Sequence, residues 1–295
     1  MPQYIQLSEN TFYVKGSPAT IIHIVEGEAY VVDPGSGSKR RKTLKSILKS
    51  LGVSEYSIVL THYHADHIAI ANKLSPKNIY SSELDRVFVE NRVLRNYATY
   101  GYPFSNGTKH LLYDAPDITV TKTLSSPCKL GDSIEISPLP GHTLGQVGVL
   151  FSDGVFYIGD AAFGDRVLSA VGIPYHFDAI LAAETVKKII ENSDEYEKIV
   201  LSHGPLLGKN EVLKILRTNL ERISDVVSKV KDKLSLETVS PGVLAAKILL
   251  DYGVEQTTTL QMLSTVTVKS ILSHLEKEGY AEAVVTENGV LWRKR

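Results

Sequence analysis

The chain has very little cysteine and no strong charge of either sign. Cys128 is the only cysteine among 295 residues, so the chain can form neither an intramolecular disulfide nor a cysteine-rich zinc site. Any metal ion must therefore be held by histidine and carboxylate side chains. The net charge is −1, and residues 1–210 carry 20 Lys and Arg against 22 Asp and Glu. This balance argues against a polyelectrolyte partner such as DNA or RNA.

Long hydrophobic runs are also missing. No stretch of about 18 consecutive apolar residues occurs, which argues against a transmembrane helix. The first residues lack the basic and apolar segments of a signal peptide. We therefore expect a cytoplasmic protein without a membrane partner. Hydrophobic residues make up 43% of the chain, which is enough to build an ordinary globular core.

The densest group of potential metal ligands lies within residues 61–68. His62, His64, Asp66 and His67 form the pattern H-x-H-x-D-H. Neutral imidazoles and ionised carboxylates are ordinary ligands of zinc and similar divalent metals. The chain has only nine histidines, and burying three of them beside a carboxylate without a metal would be costly. The pattern therefore predicts a metal site.

Short apolar runs predict two β-rich halves that each end in helices, so we expect two sheets packed face to face with helices outside. The predicted strands are 4–7, 11–14, 20–25, 29–32, 56–61, 118–121, 133–139, 146–151, 155–158 and 198–201. The predicted helices are one from Ser38 over about fourteen residues, one from Ala65, 82–96, 178–192 and one beginning near Lys209.

Further histidine and aspartate residues directly follow predicted strands. Asp33, His142, Asp160 and His203 each stand just after a β-like run, as the H-x-H-x-D-H pattern does. The ends of neighbouring strands lie side by side, so these side chains should converge on one rim of a sheet. Glycines beside three of the four would let the backbone approach a ligand closely.

In order and spacing these motifs resemble the metallo-β-lactamase-fold hydrolases, over about residues 1–208. The resemblance implies an α/β fold, namely a four-layer αββα sandwich, and two divalent ions, zinc first, with iron or manganese as other options. It implies seven metal ligands, which are His62, His64, Asp66, His67, His142, Asp160 and His203.

In the family the ligands fall into two sets, here His62, His64 and His142 for one ion, Asp66, His67 and His203 for the other, and Asp160 for both. The position that matches Asp33 orients the site. We therefore expect Asp66 and Asp33 to be the carboxylates on which catalysis depends. Thr143 is a further candidate for orienting the ligands.

Residues 209–295 are predicted to be mostly helical. The patterns predict helices at 241–252, 257–263 and 266–279, and strands at 283–285 and 290–292 joined by a turn at Asn288-Gly289. This order is similar to a winged-helix domain found in a subgroup that includes an endoribonuclease, while the first part is similar to glyoxalase II-like hydrolases. We predict two domains, residues 1–208 and 209–295.

The resemblance implies a metal-dependent hydrolase in which a hydroxide bridging the two ions attacks the substrate. The expected substrate is a small molecule, namely an ester, thioester or lactone of modest size. One alternative is an endoribonuclease that cleaves single-stranded RNA. Two others are a mononuclear iron enzyme resembling the persulfide dioxygenases and a non-enzymatic regulator whose winged helix reads DNA.

Three residues are candidates for substrate contact. Tyr175 and His176 come soon after Asp160, and His110 lies in an irregular segment, 97–117, that is long enough for a lid or a binding loop. The aromatic residues of that segment could instead pack internally or form a contact in a homo-oligomer.

Overall fold

The structure of the chain, a computed structural model, describes residues 4–102 and 114–295. Two β-sheets of seven and five strands lie at its centre, and a two-stranded sheet lies near the C-terminus. The strands are β1 Ile5–Gln6, β2 Thr11–Val14, β3 Thr20–Val25, β4 Glu28–Val32, β5 Glu55–Val59, β6 Ile79–Ser82, β7 Lys122–Leu124, β8 Cys128–Leu130, β9 Ile134–Pro138, β10 Val147–Phe151, β11 Val155–Tyr157, β12 Lys198–Val200, β13 Ala281–Thr286 and β14 Gly289–Lys294. The helices are α1 Ser38–Ser50, α2 Ala65–Ile68, α3 Ala71–Leu74, α4 Glu83–Glu90, α5 Arg92–Tyr100, α6 Asp165–Val171, α7 Ala179–Glu191, α8 Lys209–Leu236, α9 Pro241–Asp251 and α10 Thr258–Lys277.

The first sheet follows the order of the chain, from β1 to β7. Its first four strands pair antiparallel, and β4 to β7 pair in parallel. Helices lie in the connections between the parallel strands. Such a connection must carry the chain from one end of the sheet back to the other before the next strand begins, and it usually contains a helix. The second sheet has the order β12-β11-β10-β9-β8, in which only β12 is parallel to its neighbour.

Alternation along the strands produces the layers. Ile21 of β3 packs between the two sheets, whereas the next residue, Ile22, packs against α1. In β11, Val155 points to the other sheet and Phe156 points toward α7 and α8. Each sheet is thus covered by the other sheet on one face and by helices on the other, which confirms the predicted αββα sandwich.

The C-terminal helices pack around a further core, which also includes Ile173, Ala179 and Ala182. Helix α8 contributes Val212 and Leu216 to the core of the second sheet, and it contributes Val226 and Val230 to the core that it shares with α9 and α10. The hairpin β13–β14 follows α10 and has six paired positions. Two helices followed by a hairpin agree with the order of elements in a winged helix. The assignment itself and the boundary at 208/209 stay predictions.

Four predicted elements differ from the structure. The separate helices predicted at 257–263 and 266–279 are one helix, α10. The Thr265 hydroxyl donates to the carbonyl of Gln261, one turn back, over 2.7 Å, so it does not compete with the helix for a backbone partner. The helix predicted at 82–96 is two, because Asn91 is extended and caps α5. Residues 118–121 are not a strand, and Ile118 donates its N–H to α4 instead.

The two longest helices are α8 and α10, with 28 and 20 residues. Both bury one face in the cores and expose the other. Throughout residues 4–102 and 114–295, no helix is both long and apolar enough to cross a membrane.

Candidate metal centre

The predicted convergence of strand ends occurs at one rim of the two sheets. The loops after β4, β5, β9, β11 and β12 meet there, and each brings a histidine or an aspartate. The potential ligand atoms lie within 4.8 Å of one another in three overlapping groups: His62, His64, His142 and Asp160; Asp66, His67 and His203; and Asp33, His62 and His67.

The first group is built around two facing imidazoles. Nε2 of His142 lies 2.8 Å from Nδ1 of His64 and 3.4 Å from Oδ2 of Asp160. Nε2 of His62 is buried without a hydrogen-bond partner in the described structure. Burial lowers the pKa of His64 to about 4 and that of His142 to about 3. These rings are therefore neutral at physiological pH, which is the form that binds a metal.

The second group has the opposite electrostatic character. Nε2 of His203 lies 3.2 Å from Oδ2 of Asp66 and 3.1 Å from Nε2 of His67. Burial disfavours a charged imidazole, yet the carboxylates of Asp160, Asp66 and Asp33 raise the pKa of His67 well above its usual value. Without a metal, a proton on this ring balances the surrounding carboxylates.

Asp160 lies between the two groups. Its Oδ1 is 3.3 Å from Nε2 of His67, and its Oδ2 is 3.4 Å from Nε2 of His142 and 3.6 Å from Nε2 of His203. Burial favours a neutral carboxyl, but the imidazoles of His203 and His67 hold its pKa well below the usual range. The hydroxyl of Ser202 donates to Oδ1. One carboxylate thus faces both sets of imidazoles.

The residues fit a metal on the chemistry of their donor atoms. Buried imidazoles and carboxylates crowd together with their acceptor atoms facing inward, and the Nε2 atom of His62 has no other partner in the described structure. Four of the remaining ring nitrogens are held from outside, as is usual for metal-binding histidines, while Nε2 of His64 has no hydrogen-bond partner in the described structure. These outer contacts are Thr61 Oγ1 to His62 at 3.0 Å, Asp33 Oδ2 to His67 at 2.8 Å, the carbonyl of Tyr175 to His142 at 2.9 Å and Ser17 Oγ to His203 at 2.7 Å.

Asp33 stands behind the ligands. It is fully buried, and it accepts hydrogen bonds from the backbone N–H of Thr61 at 2.9 Å, the Thr61 hydroxyl at 2.6 Å and the Tyr157 hydroxyl at 3.2 Å. Its backbone has a φ of +50°, which is uncommon for a residue other than glycine. With its oxygens engaged in this way, we expect Asp33 to act by positioning His67 and not to touch the substrate.

A cavity of about 280 Å³ opens on the ligand cluster. Five of the predicted ligands line it, which are His64, Asp66, His142, Asp160 and His203. Of the predicted substrate contacts, Tyr175 lines the cavity. His176 is buried outside that lining and donates its backbone N–H to Thr267 Oγ1 over 2.9 Å. His110 lies outside the described residues.

Asp85 is a buried acid that the sequence did not point to. It accepts a hydrogen bond from the Thr143 hydroxyl at 2.6 Å and another from the Gly145 N–H at 2.9 Å, and so holds the loop that carries His142. Burial raises its pKa to about 7. The pattern Ser82-x-x-Asp85 marks a helix N-terminus, but nothing local relates it to residues 143–145.

Comparison with known proteins agrees with this architecture. The family model of the metallo-beta-lactamase superfamily matches residues 13–203. A hydroxyacylglutathione hydrolase from Shewanella pealeana is 29% identical over 136 residues, which cover 45% of this chain and 41% of that protein. A probable hydroxyacylglutathione hydrolase from Schizosaccharomyces pombe is 26% identical over 175 residues, covering 58% and 60%. The chain thus spans less than two thirds of these curated relatives.

Two crystal structures share the fold over almost the whole chain. A beta-lactamase domain protein from Burkholderia ambifaria has a TM-score of 0.73 at 14% identity, covering 99% of this chain and 94% of that one. A metallo-beta-lactamase family protein from Thermus thermophilus has a TM-score of 0.71 at 15% identity, covering 100% and 99%. Because the family model spans more than half of the sequence, this chain belongs to the metallo-beta-lactamase superfamily.

Proposed function

We propose that the protein hydrolyses an ester, a thioester or a lactone of modest size at a centre of two divalent ions, with zinc as the expected metal. The position of Asp160 carries the proposal, because its carboxylate lies within 3.6 Å of ring nitrogens from both ligand groups. The partial relatives named hydroxyacylglutathione hydrolase support a thioester as the bond that is cleaved.

The seven predicted ligands divide between the ions as follows: His62, His64 and His142 would hold one ion, Asp66, His67 and His203 the other, and Asp160 both. When bound, such a pair of ions makes hydroxide available near neutral pH and stabilises the oxyanion that develops on the substrate.

The protonation states of three ligand side chains favour metal binding. His64 and His142 are neutral because burial lowers their pKa values, so these rings need lose no proton to bind an ion. Burial opposes ionisation of Asp66, but the imidazoles of His67 and His203 lower its pKa. Its carboxylate lines the cavity, where it can serve as a metal ligand in its ionised form.

We also propose that residues 1–208 form the catalytic domain of a cytoplasmic enzyme and that residues 209–295 form a winged-helix-like domain. A single-strand-selective ribonuclease is the competing activity. The cavity gives it no support among the described residues, because its lining is mainly apolar and contains a single arginine.

The test begins with elemental analysis of the purified protein, followed by assays on a panel of thioesters and on a labelled single-stranded RNA. We expect two zinc ions per chain, thioester hydrolysis, and reversible loss of activity on chelation. Asp66→Ala and His62→Ala should abolish hydrolysis in a folded protein. His274→Ala is the matched control, because this histidine is half-exposed on α10. One iron ion per chain, or cleavage of RNA but of no thioester, would contradict the proposal.

A further inference from the structure

We infer that the substrate carries an uncharged, apolar chain directly beside the scissile bond, and that helix α10 forms part of the wall that receives this chain. The inference rests on the proposed hydrolase function and specifies its substrate class. It is carried by the composition of the cavity beyond the metal ligands.

The cavity lining combines the ligands and a few other polar residues, among them Ser17, Asn96 and Thr99, with a larger apolar surface. Beyond the ligand cluster, six aliphatic or proline side chains line it, and these are Val167, Val171, Ile173, Pro174, Leu260 and Leu263. They come from α6, from the segment that follows it, and from α10. A binding site that is mainly apolar, with a few polar groups and a polar reacting centre, favours an apolar group and places its polar bond at that centre.

Helix α10 is fixed in this position. The Thr267 hydroxyl donates to the carbonyl of Pro174 over 3.0 Å and accepts the N–H of His176 over 2.9 Å. One helical turn on, Ser270 accepts the N–H of Ala179 over 3.1 Å. Since these contacts tie α10 to the segment beside the ligands, Leu260 and Leu263 form a stable wall.

Among the residues that the structure describes, few cationic side chains are placed to bind an anionic substrate in the cavity. Arg95 is the only lysine or arginine that lines it within residues 4–102 and 114–295. The Nη atoms of Arg95 already donate to the carbonyls of Phe88, Val89, Ala115 and Pro116. The Nε atom of Arg95 has no hydrogen-bond partner in the described structure, but the side chain is only 1% exposed. A phosphodiester or a peptide-like thiol with carboxylates would therefore find no exposed guanidinium or ammonium group among these residues.

The size of the cavity sets a limit on the chain. Each methylene buried in an apolar site should raise kcat/KM by about fourfold, and this gain should stop when the volume of about 280 Å³ is filled. A preference for chain length with a defined optimum is thus expected.

Two series of thioesters test the inference on the metal-loaded, full-length protein. In the first, the acyl group grows from acetyl through butyryl, hexanoyl and octanoyl to dodecanoyl on the uncharged thiol N-acetylcysteamine. In the second, an acetyl group is attached to alkanethiols of the same lengths. The series in which kcat/KM rises to an optimum with chain length shows which side of the thioester, acyl or thiol, enters the apolar part of the cavity. Binding of the matching ketone analogues, which cannot be hydrolysed, is measured by calorimetry.

Variants of α10 test whether this helix forms part of the cavity wall. Leu263→Trp should reduce kcat/KM for the best chain by about tenfold or more and shift the optimum to shorter chains. Leu260→Ala should shift it to longer chains, and it keeps the inference testable if the larger side chain prevents folding. Leu250→Trp on α9 is the matched control, because Leu250 is 65% exposed and does not line the cavity.

The outcomes separate this inference from the proposed function. Hydrolysis with no dependence on chain length in either series would overturn the inference and leave the hydrolase proposal intact. Ketone analogues that bind more tightly with length, without cleavage of any thioester, would support the apolar site and contradict the proposed hydrolysis. An optimum that Leu260→Ala and Leu263→Trp both leave unchanged would overturn the role of α10.

Discussion

His67 donates from Nδ1 to Oδ2 of Asp33 over 2.8 Å, and both side chains are fully buried. The direction of this hydrogen bond follows from the surroundings, because Asp33 also accepts the N–H and the hydroxyl of Thr61. With its proton on Nδ1, the neutral ring presents an unprotonated Nε2 to the ligand cluster. A contact outside the metal centre thus selects the tautomer that the centre needs.

We call the ion that His62, His64 and His142 would hold the first ion, and the ion that Asp66, His67 and His203 would hold the second ion. Asp33→Asn should weaken binding of the second ion more than binding of the first. Asparagine keeps the shape but offers only one acceptor oxygen, so the His67 ring loses its fixed orientation. We expect about 10- to 100-fold weaker binding of that ion, measured by competition with a chromogenic chelator. Asp232→Asn on the exposed side of α8 is the control. Equal affinities in wild type and Asp33→Asn would show that His67 is oriented by other contacts.

The binding of the two ions should also depend differently on pH. Burial lowers the pKa of His64 to about 4 and that of His142 to about 3, so the first ion displaces few protons until the pH approaches these values. Burial opposes a charge on His67 and His203, but nearby carboxylates raise both pKa values. At neutral pH the second ion must therefore displace protons.

As the pH is lowered, binding of the second ion should consequently weaken before binding of the first. Below the raised pKa values of His67 and His203 its affinity should fall by up to about tenfold per pH unit for each proton displaced, while that of the first ion changes little. Chelator competition and proton release at several pH values measure both ions. A parallel decline of both affinities from neutral pH downward would contradict this assignment.

The metal cluster could be predicted from sequence because its signals are local. H-x-H-x-D-H places four ligand-type side chains in six positions, and His142, Asp160 and His203 each follow an apolar strand next to a glycine. The expected convergence is met because β9, β11 and β12 run in the same direction in the second sheet, so their carboxyl ends lie at one rim. The layers were predictable because two β-rich halves that each end in helices indicate two sheets with helices outside.

Contacts between distant segments were not predictable in this way. Asp85 reaches Thr143 and Gly145 across about sixty residues, and no pattern around any of the three records that contact. Leu260 and Leu263 appear in the sequence as ordinary apolar positions of a helix. Only the packing of α10 against the segment at 174–179 shows that they line the cavity.

Asp85→Ala should destabilise the loop that carries His142. The substitution leaves the buried Thr143 hydroxyl and Gly145 N–H without acceptors, at a cost of about 1–3 kcal/mol for each group. We expect a lower free energy of unfolding in urea and weaker binding of the first ion. Asp85→Asn keeps one acceptor and should recover part of both losses. If Asp85→Ala unfolds at the wild-type urea concentration, the loop does not depend on this carboxyl.

Gly141→Ala tests whether the loop before His142 has room to move. Gly141 has a φ of +131°, and a Cβ there would lie 2.3 Å from the backbone N and Cα of Ala182 on α7. Its carbonyl also accepts the N–H of Asp178, the residue that caps α7. Either the helix or the loop must shift, so the loss of stability should exceed about 3 kcal/mol, as for severe overpacking, and His142 should bind its ion more weakly.

Gly131→Ala separates this clash from backbone strain. Gly131 has a φ of +60°, but no atom lies within 4 Å of a Cβ added there, so only the strain of about 1–2 kcal/mol for a left-handed residue is expected. Denaturation of both variants with and without zinc compares them directly. Zinc should stabilise Gly131→Ala as much as wild type, because its ligands are undisturbed, and should stabilise Gly141→Ala less. Equal losses in the two variants would mean that α7 yields freely, and that the position of His142 is set by Asp85 and by the Tyr175 carbonyl and not by contact with the helix.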